Sequence, residues 1–158
     1  MKLMKYFGLF VAAVVSLSAC SSDLEHIEAL PQDQAVAPVL HQLAESELTI
    51  TADNKNSKFA VEWDAANFGE GIIFLTDIYL SYNDVEAALI TGLDTKTTSY
   101  EINYSQIHTI VSKAVKDGGL GVEANTATDV KMRLGSKVGT TGPVLYSDYA
   151  TIKVTYTE

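Results

Sequence analysis

From residue 36 onward, apolar and polar residues alternate with a period of two, and this pattern restricts the fold more than any other feature. The segment 58–64 shows it most clearly, because Phe59, Val61 and Trp63 fall on one side of an extended chain. Short runs rich in Val, Ile, Thr, Tyr and Phe are separated by turn residues. The pattern predicts an all-β protein with Trp63 in its core.

About seven short strands within one domain, residues 36–158, favour a β-sandwich of the immunoglobulin or fibronectin type III kind. In the strand predicted over 72–82, alternation places Phe74, Ile78 and Leu80 inward and Asp77, Tyr79 and Ser81 outward. The predicted strand segments are 36–43, 47–51, 58–64, 72–82, 87–93, 97–102, 129–138 and 146–156.

One helix interrupts the β pattern over residues 104–116 and precedes the last two predicted strands. Ile107, Ile110 and Val111 recur there at the spacing of one helical face. Asn103 can cap the helix, with Gln106 reaching back to it, and Gly118 and Gly119 can end it.

The amino terminus has the order of a bacterial secretory signal, with Lys2 and Lys5 before an apolar run too short to span a bilayer. The next four residues, Leu-Ser-Ala-Cys at 17–20, resemble a lipobox. The resemblance implies that residues 1–19 are a removed signal peptide, that Cys20 carries lipid and that the membrane is a partner through this anchor. The alternative is that Cys20 is a buried structural cysteine.

Residues 20–35 are acidic and have no regular apolar period, which predicts a lipidated flexible tether. Asp23 and Glu25 soon after Cys20 resemble the export signal of Bacteroidetes lipoproteins. That resemblance implies the outer membrane and its external face. The alternative is a solvated linker without an export role.

Charge and cysteine content exclude several classes of partner and cofactor. The formal charge is −9, and removal of residues 1–19 makes it two units more negative, so nucleic acid is repelled. The only cysteine is assigned to the anchor, which leaves no disulfide or zinc constellation. Catalytic and nucleotide-binding motifs are absent from the sequence. We therefore expect no enzyme activity, no metal and no cofactor.

The segments 132–139 and 142–156 are similar to the end of the amino-terminal domain of the SusE/SusF family, outer-membrane lipoproteins of Bacteroidetes starch utilisation. Residues 37–40, the helix and the lipobox add to the likeness. The family resemblance implies an accessory or spacer role in polysaccharide binding and uptake, with a glycan-uptake outer-membrane complex or a starch-like polysaccharide as partner. Family members continue into carbohydrate-binding modules, whereas this sequence stops at Glu158, so none of their starch-contacting residues can be transferred.

Direct sugar binding is the alternative function. Sugars stack on exposed aromatic faces beside hydrogen-bonding groups, and Tyr79, Tyr149 and Arg133 are the candidate glycan-binding residues. Tyr100, Tyr104 and Asp77 are further candidates, and ordinary cross-strand packing is the competing explanation for all six residues. We expect the tyrosines to be dispersed and without a concave pocket, which favours the spacer role.

Overall fold

The structure, a computed structural model, describes residues 28–158. Within that range the chain forms nine strands and one α-helix, α1, Tyr104–Ser112. The strands are β1 Val39–Leu40, β2 Glu47–Ile50, β3 Lys58–Asp64, β4 Leu75–Tyr82, β5 Val85–Asp94, β6 Ser99–Asn103, β7 Thr128–Lys137, β8 Leu145–Tyr146 and β9 Ala150–Tyr156. The signal peptide, Cys20 and the first part of the tether lie outside the described residues.

The nine strands form two sheets that pack as a sandwich. One sheet has the order β1-β3-β6, and the other has the order β2-β9-β7-β4-β5, with β8 pairing with β7. All pairs are antiparallel except β2 with β9, which are parallel. The first two strands, β1 and β2, thus belong to different sheets. Strands that are distant in sequence, such as β2 and β9, lie side by side. The predicted all-β sandwich is confirmed.

One apolar core lies between the sheets. It takes alternate residues of β3, β4, β7 and β9, and α1 adds Ile107 and Val111 from its buried face. Trp63 is 2% exposed, and the strand 58–64 was predicted with its correct bounds and faces. The alternation therefore identified both the strand and its inward residues.

The strands predicted over 36–43 and 146–156 need correction. The segment 36–43 contains only the two-residue β1, with Val36 forming an isolated bridge to Asn67. The segment 146–156 is divided into β8 and β9, because Ser147 turns inward and exchanges hydrogen bonds with the backbone of Leu134. As a result, α1 precedes three strands rather than two.

The strand predicted over 72–82 begins later than predicted, and buried and exposed residues do not alternate strictly along it. β4 starts at Leu75, and its pairing with β5 shifts register on both sides of Ile78. Thr76 and Asp77 are both buried, although alternation placed Asp77 outward. Asp77 Oδ1 accepts a hydrogen bond from the backbone N–H of Gly92 at 2.8 Å, which supplies a polar partner for this buried carboxylate.

The helix begins as predicted, but it is shorter than 104–116. The N–H of Asn103 donates to Gln106 Oε1 at 2.9 Å, and the helix ends at Ser112 rather than at the glycines. The following segment folds back along it: the amides of Leu120 and Val122 donate to the carbonyls of Ile110 and Val111. These donors satisfy carbonyl groups that the end of a helix would otherwise leave unpaired.

The last residues assigned to the tether lie against the sandwich. The N–H of Leu30 donates to the carbonyl of Phe68 at 2.6 Å, and residues 31–34 form a turn. Val36 and Asn67 then exchange two backbone hydrogen bonds. The chain therefore joins the domain at Leu30, before the boundary expected at residue 36.

Candidate functional site

An open cleft of about 570 Å³ lies on the outer face of the larger sheet. Its walls come from the β4–β5 turn, from β7 and from the connection between β8 and β9. Its lining is polar or aromatic throughout: Ser81, Tyr82, Asn83, Asp84, Glu86, Asp129, Lys131, Arg133 and Tyr149. A volume in this range is typical of small-molecule pockets, so the cleft is the first candidate for a binding site.

The β4–β5 turn forms one end of the cleft. Tyr82 pairs with Val85, which leaves Asn83 and Asp84 as a two-residue hairpin loop. Both loop residues have positive φ, 49° and 62°, the backbone conformation of a type I′ turn, for which Asn and Asp are well suited. The tight turn therefore fixes the amide of Asn83 and the carboxylate of Asp84 beside the cleft.

Arg133 connects the charged and aromatic parts of the site. Its Nε donates to Glu86 Oε2 at 2.7 Å and a terminal nitrogen donates to Glu86 Oε1 at 2.9 Å, which makes a bidentate ion pair. The Glu86 carboxylate raises the pKa of Arg133. The guanidinium carbon lies 3.7 Å from the ring centre of Tyr146 and 4.9 Å from that of Tyr149. Arg133 thereby contacts the rings of two tyrosines, of which Tyr149 lines the cleft.

Tyr79 supports the site from the neighbouring strand. Its hydroxyl donates to Asp77 Oδ2 at 3.0 Å, and its ring meets that of Tyr146 edge to face at 6.1 Å. Burial, followed by the nearby Asp77 carboxylate, raises the pKa of Tyr79 to about 12. Gly135 makes this packing possible, because a Cβ there would lie 2.9 Å from both the Tyr79 and the Tyr146 ring.

Tyr149 is the aromatic ring most available to a ligand in the cleft. The residue is 48% exposed, and Lys131 Nζ lies 5.6 Å from its ring centre. The charged lining includes Lys131 and Arg133 as well as Asp84, Glu86 and Asp129, and Asp129 is paired with Lys153 outside the cleft at 2.8 Å. Acidic groups thus outnumber basic groups around the ring.

The three glycan-binding candidates from the sequence come together. Tyr79 and Arg133 are directly paired across β4 and β7, and Tyr149 reaches Arg133 from the β8–β9 connection. The expectation of dispersed tyrosines without a concave pocket is wrong. Asp77 is linked to the same group through Tyr79.

The other two candidate tyrosines, Tyr100 and Tyr104, lie outside the cleft. Tyr104 is buried and its hydroxyl donates to Glu45 at 2.8 Å. Burial, followed by this hydrogen bond, raises the pKa of Tyr104. Tyr100 is half-buried in the smaller sheet, where it pairs with Val61. Tyr146 and Lys131 were missed by sequence reasoning. The Gly135 position offered a signal for Tyr146, since a glycine within a strand often marks close packing from another residue.

The fold and the cleft define an all-β sandwich protein with an aromatic and charged surface site. No family model, curated protein or solved structure matches the chain. Among residues 28–158, no helix is long and apolar enough to cross a membrane. The same described residues contain no group of three or more side chains placed to hold a metal ion.

Proposed function

We propose that this protein is a lipid-anchored accessory module of a polysaccharide binding and uptake system at the outer membrane, and that the cleft contacts the glycan. The anchor part of the proposal comes from the lipobox at 17–20, and the pathway comes from the resemblance to SusE/SusF proteins. The observation that carries glycan contact is that Tyr149 and Arg133 line one cleft and contact each other there, with Tyr79 paired to Arg133 on the neighbouring strand. A spacer without sugar contact is the second candidate.

Tyr149 provides the surface on which a sugar ring would stack. A pyranose has an apolar face that packs on an aromatic ring, and its hydroxyl groups need polar partners at the side. Asn83, Asp84, Ser81 and Lys131 line the same cleft, and Ser81 pairs with Lys131 across β4 and β7. Stacking on Tyr149 therefore brings the hydroxyl rim towards both donors and acceptors.

The charge of the cleft favours a neutral glycan over an acidic one. Arg133 already donates from Nε and one terminal nitrogen to Glu86, which leaves Lys131 as the cation of the lining without a carboxylate partner among the described residues. Asp84 and Asp129 would repel a uronic acid, whereas they can accept hydrogen bonds from neutral hydroxyl groups. Starch-like oligosaccharides fit this pattern.

We expect the protein to bind neutral oligosaccharides weakly, with a dissociation constant on the order of 1 mM because the cleft is open and shallow. Tyr149→Ala should weaken binding about tenfold by removing the stacking surface. Affinity electrophoresis against starch and other neutral polysaccharides, followed by calorimetric titration, measures both effects. Tyr149→Phe retains the ring and should bind as the wild type does.

Tyr100→Ala serves as the control outside the cleft and should leave glycan affinity unchanged. If the wild type binds none of the neutral glycans, or if Tyr149→Ala binds them as well as the wild type does, the cleft is not a sugar site. That result would favour the spacer role, in which the sandwich holds a partner away from the membrane.

Lipid attachment is tested separately from glycan binding. Metabolic labelling with a fatty-acid analogue should label the wild type and should fail to label Cys20→Ala, since the modified thiol is lost. Equal labelling of both chains would refute the anchor. The glycan measurement uses the folded domain in solution and stands whatever the labelling shows.

A further inference from the structure

The end of the sandwich opposite the cleft has an exposed apolar surface on the β3–β4 loop, residues 65–74. Ile73 is 77% exposed, which is unusual for a large aliphatic side chain. It borders a second cleft, of about 390 Å³, whose lining includes Phe68, Ile72 and Phe74. We call this surface the apolar end. Beneath it, Phe68 and Phe74 pack at 5.2 Å and fix the loop.

The chain enters the domain at this same end. The carbonyl oxygen of Glu28 and the side chain of Leu30 both lie 3.4 Å from the position of a Cβ built on Gly69. The N–H of Leu30 also donates to the carbonyl of Phe68. Glu28, the first described residue, therefore lies near the apolar end, and the chain upstream of it connects to the domain there.

The short distance in sequence from Cys20 to Glu28 limits how far this end can lie from a lipid anchor. Eight residue steps span at most about 28 Å when fully extended, and less as a coil. A bilayer that contains the acyl chains of Cys20 is thus always within reach of the loop. Such tethering replaces free diffusion with a high effective concentration of membrane surface.

We propose that the apolar end rests on the lipid bilayer, with Ile73 entering the interfacial region, and that the sandwich thereby directs the aromatic cleft away from the membrane. The proposal rests on the lipid anchor of the proposed function. A single aliphatic side chain binds a membrane weakly, but the anchor supplies the second signal that stable contact requires.

The direction of β4 sets the distance between the two ends. Leu75 directly follows the apolar end, and Ser81 is one of the residues that line the cleft. Six residue steps along a strand correspond to about 20 Å. If the bilayer contacts the domain at Ile73, the cleft stays open to a large glycan. If the bilayer contacted the end that carries the cleft, it would block the cleft.

The test places a fluorescent probe at each end of the lipidated full-length protein in zwitterionic phosphatidylcholine vesicles. Because Cys20 is acylated on its sulfur, a cysteine introduced by Ile73→Cys is the reactive thiol, and Asp84→Cys gives the matched control at the far end. Both are labelled with an environment-sensitive dye. Lipids carrying a nitroxide near the headgroup should quench about half or more of the dye emission at position 73 and almost none at 84.

Three results would overturn the proposal. Equal quenching at both positions would show that no end is preferred. A blue-shifted dye at position 73 that the nitroxide lipid does not quench would show that tether residues, rather than lipid, cover the apolar end. Absence of lipid on Cys20, measured by fatty-acid labelling of the same preparation, would refute both the anchor and the bilayer contact. If Cys20 carries lipid but the dye at position 73 is not quenched, only the bilayer contact is refuted.

Discussion

Trp63→Ala is expected to lower the free energy of unfolding by about 3 to 5 kcal/mol, because it removes the largest side chain of the core and leaves a cavity between the sheets. Trp63 is 2% exposed, and its backbone N–H donates to the carbonyl of Thr98 at 2.9 Å. The strand itself should therefore remain paired while its core contacts are lost. Urea denaturation followed by circular dichroism measures the change.

Two control variants separate core volume from other effects. Trp63→Phe retains an aromatic ring and removes an indole N–H that has no hydrogen-bond partner among the described residues, so its cost should be about 1 to 2 kcal/mol. Tyr149→Ala removes an exposed ring and should change stability by less than about 0.5 kcal/mol. A loss below about 1 kcal/mol for Trp63→Ala would contradict its placement in the core.

Gly119→Ala is expected to cost about 2 to 4 kcal/mol, because the new Cβ would lie 2.2 Å from the carbonyl oxygen of Lys113. The chain can relieve that overlap only by moving away from the end of α1. Such movement weakens the hydrogen bonds from Leu120 and Val122 to the helix and displaces two buried side chains. Denaturant unfolding gives the energy, and amide hydrogen exchange at residues 120–122 locates the opening.

Gly118→Ala is the matched control, since it adds the same methyl group one residue earlier. Gly118 has a φ of +85° and no atom within 4 Å of the added carbon, so only the left-handed backbone is penalised, at about 1 kcal/mol. Equal losses for the two variants would mean that backbone conformation, and not the contact with Lys113, determines the cost at Gly119.

Much of the fold could be predicted from sequence because alternation is a local property. The strand 58–64 and the burial of Trp63 follow from residues two positions apart. The start of α1 also follows, since Asn103 and Gln106 are near neighbours. These predictions depend on short-range geometry and did not need the rest of the molecule.

Alternation failed where a distant part of the chain changes the local rule. Asp77 follows an outward pattern in sequence, yet a register shift between β4 and β5 buries it against Gly92. Residues 146–156 were predicted as one strand with Ile152, Val154 and Tyr156 on one side, and the contact of Ser147 with Leu134 on β7 divides them into two strands. In both cases the deciding partner is more than ten residues away.

The sequence by itself determined the sandwich class, the inward residues and the tyrosines and arginine that could contact a sugar. Only the tertiary structure decided that Tyr79, Tyr149 and Arg133 belong to one cluster with Tyr146, and that Arg133 and Tyr149 line the cleft. The reason is physical: side-chain direction is fixed by the local backbone, whereas proximity across a sheet depends on the register of β4, β7 and β8. That register is set by packing and hydrogen bonding between segments far apart in the chain.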